Sequence, residues 1–157
     1  MTLVLLILKD SESEERREYI ASLIANSLSR EEIEFQESKH LLRILGEIND
    51  IEVIWLRFYL DPMRGGDEDF RNKHNGILSP VSASMGMPQS AHDKNALQKS
   101  YKDHLAQLGL LRKHYKVDRL SKLPEYDYNG AMKVQRHSIT TLGRLLIKEI
   151  GLLPDPD

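Results

Sequence analysis

The densest set of chemically capable side chains in this sequence is basic. Arg112, Lys113, His114, Lys116, Arg119 and Lys122 fall within eleven positions, and Lys133 and Arg136 follow shortly after. Cations at this density neutralise phosphates, and the interleaved Tyr115, Tyr126 and Tyr128 have faces suited to sugars or bases. The same composition also describes a solvated hairpin whose tyrosines cover the edge of a core. Upstream, Asn95, Lys99 and Lys102 stand in a helical pattern, where lysine reaches phosphate and asparagine reads a base edge. Asp103, in the same stretch, repels phosphate and works against that use.

Other chemistries find less support. The six histidines, at 40, 74, 92, 104, 114 and 137, show no zinc spacing such as H-E-x-x-H, and His92 and His104 stand twelve residues apart. With no cysteine there is no thiolate site, disulfide or thiol nucleophile. Gly65-Gly66 lacks the following Lys-Ser/Thr of a phosphate loop, and the serines from 79 to 90 form no G-x-S-x-G turn. Asp67-Glu68-Asp69 lacks the alternating ligands of a calcium loop. No cofactor, metal or catalytic residue is expected, so the chain reads as non-catalytic.

The elements that would carry the basic residues are legible from spacing. Ser11 to Glu14 has capping-box spacing before an amphipathic run of Tyr19, Ile20, Leu23, Ile24 and Leu28. Ser29 to Glu32 repeats the signal ahead of Leu41, Leu42, Ile44 and Leu45. Asn49 and Glu52 open a third helix from Asp50 to about Leu60, stopped by Pro62. Residues 61–76 read as a charged, Gly-rich loop. Ser79 and Pro80 then predict a short helix over Val81 to Met85. A longer helix is expected from about Ala91 to Leu108, with Leu97, Tyr101, Leu105 and Leu108 inward. That rotation turns Asn95, Lys99, Asp103 and Ala106 outward, with Lys102 beside them. Gly109 ends it, Leu110 to Val117 and Val134 to Ile139 read as strands around a loop over 118–133, and Thr140 caps a last helix closed by Gly151 and Pro154.

Charge divides the chain. Residues 1–75 hold 10 Lys and Arg against 16 Asp and Glu, a balance of -6; residues 76–157 hold 12 against 8, a balance of +4. The apolar run Thr2 to Leu8 is far shorter than the roughly 20 residues of a membrane span and lacks the basic flank of a secretory signal, so no membrane partner and a cytoplasmic location are expected.

The order of helix, short helix, turn, helix, strand, loop, strand and helix resembles a winged helix-turn-helix domain. Leu105-Ala106-Gln107-Leu108-Gly109-Leu110-Leu111 is similar to the passage from a recognition helix into the first wing strand. Ser138-Ile139-Thr140-Thr141-Leu142-Gly143-Arg144-Leu145-Leu146 is similar to the closing strand and helix of many winged-helix repressors. The resemblance covers roughly residues 49–151 and departs from the pattern in the long stretches at 61–76 and 116–133. It implies a mainly α fold with a small β-wing: an N-terminal helical extension over residues 1–48 and a winged-helix-like domain over 49–157.

That resemblance implies a DNA-binding transcriptional regulator. Asn95, Lys99 and Lys102 on the third helix, with Arg112, Lys113, Lys116, Arg119, Lys122, Lys133 and Arg136 on the wing, are its expected contacts. The alternative is a winged-helix module for protein assembly without nucleic acid, with a protein partner or homodimer held by the acidic N-terminal helices.

Overall fold

The structure is a computed structural model that describes residues 13–28 and 32–153, with side chains in the second segment placed from residue 36 onward. The apolar run at 2–8, the capping residues Ser11 and Ser29 and the closing Pro154 therefore lie outside the described residues.

Helix α1, Glu14–Ser27, begins at Ser13, whose hydroxyl accepts the amide of Arg16 at 3.1 Å, and Glu14 and Glu15 occupy the first turn where the helix dipole favours acids. Helix α2, Glu32–Glu47, packs against it. Helix α3, Asp50–Phe58, opens with the expected reciprocal cap: Asn49 Oδ1 accepts the Glu52 amide at 2.8 Å, and Glu52 Oε1 accepts the Asn49 amide at 3.1 Å. Arg16 fixes the corner between α2 and α3. Its buried guanidinium donates to the carbonyls of Leu45 and Ile48 and, through Nε, to Asp50 Oδ1 at 3.1 Å. Leu45 O also accepts the Ile48 amide, at a long 3.4 Å, and the buried cation completes the bonding of both carbonyls at this helix end.

The stretch expected to be an open loop at 61–76 instead holds short helix α4, Glu68–Lys73, and α5, Asn75–Leu78, begins within it. Its charged composition hides an apolar anchor, Phe70, which is buried, as is Leu78 just beyond it. Two arginines cross between this stretch and α3: Arg57 lies over the Phe70 ring at 4.3 Å, and Arg71 over the Phe58 ring at 5.0 Å. The helix expected over 81–85 does not form. That segment runs irregularly with Met85 fully exposed, because Pro80 and Pro88 flank it and it has no apolar face to bury.

Helix α6, Gln89–Gln107, is followed by β1, Leu111–Tyr115, and β2, Val134–Ile139, which pair antiparallel from Leu111 opposite Ile139 to Tyr115 opposite Val134. A register shift beside Tyr115 leaves Gln135 as the extra residue. Helix α7, Thr141–Glu149, starts at Thr140, whose hydroxyl accepts the Gly143 amide at 3.0 Å and donates to the Gly109 carbonyl at 2.6 Å. Gly109 sits at φ +78, the left-handed reversal between α6 and β1. Gly143 lies so close to the sheet that a Cβ there would overlap the Leu110 carbonyl oxygen and crowd Ile139.

The protein is thus mainly helical with one small two-stranded antiparallel sheet. Its core gathers Ile20 and Leu23 of α1, Leu41 and Leu45 of α2, Val53 and Leu56 of α3, Leu105 of α6, Leu110 and Leu111, and Leu146 and Ile147 of α7. Helix α1 also caps the far end of α7, where Ser22 and Asn26 both donate to the Glu149 carbonyl, at 3.0 and 3.2 Å. No described helix is long and apolar enough to cross a membrane.

Candidate functional site

Helix α6 presents a different face from the one expected. Leu97, expected inward, is 53% exposed, while Gln98 is buried in its place. The amide of Gln98 explains the rotation: it donates to the carbonyls of Ser79 at 2.8 Å and Ile77 at 3.3 Å and accepts the Val81 amide at 3.2 Å. The irregular segment before α6 carries backbone groups that a leucine could not satisfy. Asn95, expected to face outward, is half-buried and donates to the Val81 carbonyl at 2.7 Å. Lys102 lies over the Trp55 ring, Nζ 4.5 Å from its centroid, and burial beside Lys99 lowers its pKa. Only Lys99 of the three helical candidates stands free on the surface. The outer face of α6 is a shallow open groove of about 480 Å³, lined by Ala96, Lys99, Ser100, Asp103, His104 and Gln107.

The groove's floor is tied to α3. His104 Nδ1 meets Glu52 Oε2 at 2.5 Å, and the Glu52 carboxylate is nearly inaccessible to water. At the groove's edge Asp103 is matched by Lys113 of β1 at 2.7 Å, which neutralises the carboxylate that the sequence sets against phosphate. Lys113 is engaged in turn.

Beyond the two strands, residues 116–133 form an ordered extension. The Lys116 amide donates to Lys133 O at 2.8 Å, the Glu125 amide to Lys116 O at 2.9 Å, and the Lys133 amide to Glu125 O at 2.8 Å. Three segments are thereby laced side by side, with further bridges at Val117–Pro124 and Tyr126–Met132. Two aspartates fold the turns between them. Asp118 Oδ1 accepts the amides of Ser121 and Leu120, which hold its carboxyl below the usual range; Asp127 Oδ1 accepts those of Asn129 and Ala131. This internal bonding makes the long connection between the strands a surface rather than a slack loop.

Strand alternation gives that surface two unlike faces. Arg112, His114, Lys116, Lys133, Arg136 and Ser138 share one face, where His114 Nε2 and Ser138 Oγ lie 2.7 Å apart. Arg112, Lys116, Lys133 and Arg136 are all exposed, and Glu125 matches Lys116 alone, at 3.2 Å. Arg119 and Lys122 project near the first turn, both exposed. Among the described residues Arg112, Arg119, Lys122, Lys133 and Arg136 make no ion pair. The opposite face carries Leu111, Lys113, Tyr115, Val117, Tyr126, Met132, Val134, His137 and Ile139. Its inner end joins the core. There the His137 ring lies tilted against Tyr59, centroids 6.0 Å apart, and burial, then the charges of Lys102 and Lys113, lower its pKa.

The structure thus brings together four of the predicted wing residues on one face, pairs Lys113 and Lys116 with acids, and turns Asn95 and Lys102 to internal contacts. Sequence reasoning passed over Ser100 and Gln107 on the α6 groove, because the expected rotation faced them elsewhere. It also passed over the apolar wing face, although Tyr115, Val117, Met132 and Val134 alternate with Lys116 and Lys133 in the sequence. No match to this chain was found among protein-family models, curated proteins or solved structures.

Proposed function

We propose that this chain is a non-catalytic nucleic-acid-binding protein of winged-helix type, acting in regulation, with the basic face of its hairpin as the main contact. The observation that carries this reading is the shared face of Arg112, Lys116, Lys133 and Arg136, three of which have no acidic partner among the described residues. Cations gathered on one face of a small sheet repel each other, and an isolated domain gains nothing from placing them so. A polyanion relieves that repulsion.

The order α3, α4 and α5, α6, β1, β2, α7 supports the winged-helix part of the reading, with α6 in the place of the third helix. Lys99, Ser100 and Gln107 are the groups that α6 offers to a groove of duplex DNA. None is an arginine, whose planar fork best matches a guanine edge, so the sequence preference of α6 is weak. Binding is therefore dominated by phosphate neutralisation.

The test is duplex DNA binding by the triple variant R112Q/K133Q/R136Q against the unaltered chain. The reading requires a large loss of affinity for every sequence tried. Equal affinity would remove the hairpin from the contact. The variant leaves Lys113 and Lys116 in place, because their ion pairs with Asp103 and Glu125 make them part of the fold as well as of the charge.

A further inference from the structure

The basic face of the hairpin is not uniform along its length. At its outer end Lys116 and Lys133 are point charges, and Glu125 already matches Lys116 at 3.2 Å. At its inner end the register sets Arg112 opposite Ser138 and His114 opposite Arg136, four polar side chains in a two-by-two array. Facing residues of such an array stand roughly 5 Å apart and diagonal ones roughly 7 to 8 Å, within reach of long side chains. One diagonal is closed already, since His114 Nε2 and the Ser138 hydroxyl lie 2.7 Å apart. Arg112 and Arg136, on the other diagonal, are exposed and have no acidic partner among the described residues.

We propose that this inner end binds a single phosphate-monoester group, with Arg112, Arg136 and Ser138 as its contacts and His114 as the residue that positions Ser138. The inference rests on the reading of this face as a phosphate contact, and it separates one site from the general charge. Charge favours a monoester. Two guanidiniums stand there without counter-charge, and a monoester carries about -1.5 to -2 at neutral pH, where an internal phosphodiester carries a single charge. Oxygen count favours it too. A monoester presents three terminal oxygens against two, and two planar forks with one hydroxyl are enough to engage all three.

His114 completes the arrangement. A serine hydroxyl that accepts from the imidazole keeps its own proton to donate, so in the bound state the ring donates to Oγ and Oγ donates to the phosphate. The backbone beneath the array is fixed before any ligand arrives. Leu111 and Ile139, the flanking pair on the opposite face, seat on the core.

Titration with inorganic phosphate at constant ionic strength, followed by the backbone amide NMR signals of β1 and β2, tests the site without nucleic acid. The amides around Arg112, Arg136 and Ser138 should shift together and saturate, with Kd on the order of 1 mM. R112K/R136K keeps both charges and removes both forks, and S138A removes the hydroxyl; each should weaken binding about tenfold. H114F should weaken it as S138A does and cost nothing further in the S138A background, as a residue acting through Ser138 requires. Two duplexes of one sequence, ending in 5′-phosphate or 5′-hydroxyl, identify the source. Tighter binding of the phosphorylated end assigns the site to a nucleic-acid terminus, and equal binding assigns it to a small phosphate compound. A chain that saturates with phosphate yet ignores both duplexes would keep the site and lose the nucleic-acid reading. No saturation with phosphate, or saturation unchanged in R112K/R136K or in S138A, would overturn the proposal.

Discussion

His104 Nδ1 lies 2.5 Å from Glu52 Oε2, joining the last turn of α6 to the first turn of α3 across 52 positions of sequence. Glu52 serves two purposes at once, because its other oxygen accepts the Asn49 amide and completes the cap of α3. The groove on α6 therefore rests on a carboxylate that is buried and bonded through both of its oxygens.

Removing His104 leaves the nearly inaccessible Glu52 carboxylate without its Oε2 partner, so His104→Ala should lower the unfolding free energy by about 3 kcal/mol, the magnitude of a buried charge left uncompensated. Glu52→Ala removes that charge together with the cap and leaves an imidazole one-third exposed to water, so it should cost less, about 1 kcal/mol for the cap. Urea unfolding of both variants checks the order. A larger loss in Glu52→Ala would mean that the Glu52 carboxylate acts chiefly through the cap.

Gly143→Ala should destabilise by about 2 to 3 kcal/mol, the range of overpacking, although alanine is the better helix former. The added Cβ meets a backbone carbonyl, Leu110 O, which has no rotamer to change. Thermal melting distinguishes this from the bland expectation. A raised melting point would show that α7 can move off the sheet without cost.

Acid should weaken the fold through His137. Burial and the nearby lysines hold its folded pKa below the ordinary 6.5, and its Nε2 is enclosed without a partner. The unfolded chain therefore takes up the proton first. Its contribution to stability is complete above about pH 6.5 and falls as the pH drops toward the folded value. His137→Phe keeps a ring against Tyr59 and removes the titration. The fall in urea midpoint between about pH 7.5 and 5.5 should be smaller in that variant; identical falls would assign the acid sensitivity elsewhere.

Local signals were the legible ones. Asn49 with Glu52, Thr140 and Gly109 act within a few residues of themselves or at a chain reversal, so spacing alone reveals them. The rotation of α6 was not legible, because Gln98 is drawn inward by backbone groups of Ile77, Ser79 and Val81 that lack partners in any regular element. Arg16 and His104 bind partners 29 to 52 positions away, beyond any periodicity. The basic wing was visible as a cluster in sequence. Its division into two faces was not, because it depends on the lacing of 116, 125 and 133, which the sequence leaves as a loop.

The most direct test of the central claim is fluorescence anisotropy with mixed-sequence duplex DNA, titrated from low to physiological salt. Binding should be micromolar and fall steeply as salt rises, with a slope of log affinity against log salt near -0.9 for each phosphate neutralised. R112Q/K133Q/R136Q should flatten that slope by roughly 2.7, three contacts' worth. No binding at low salt, or a slope unchanged in the triple variant, would contradict the account.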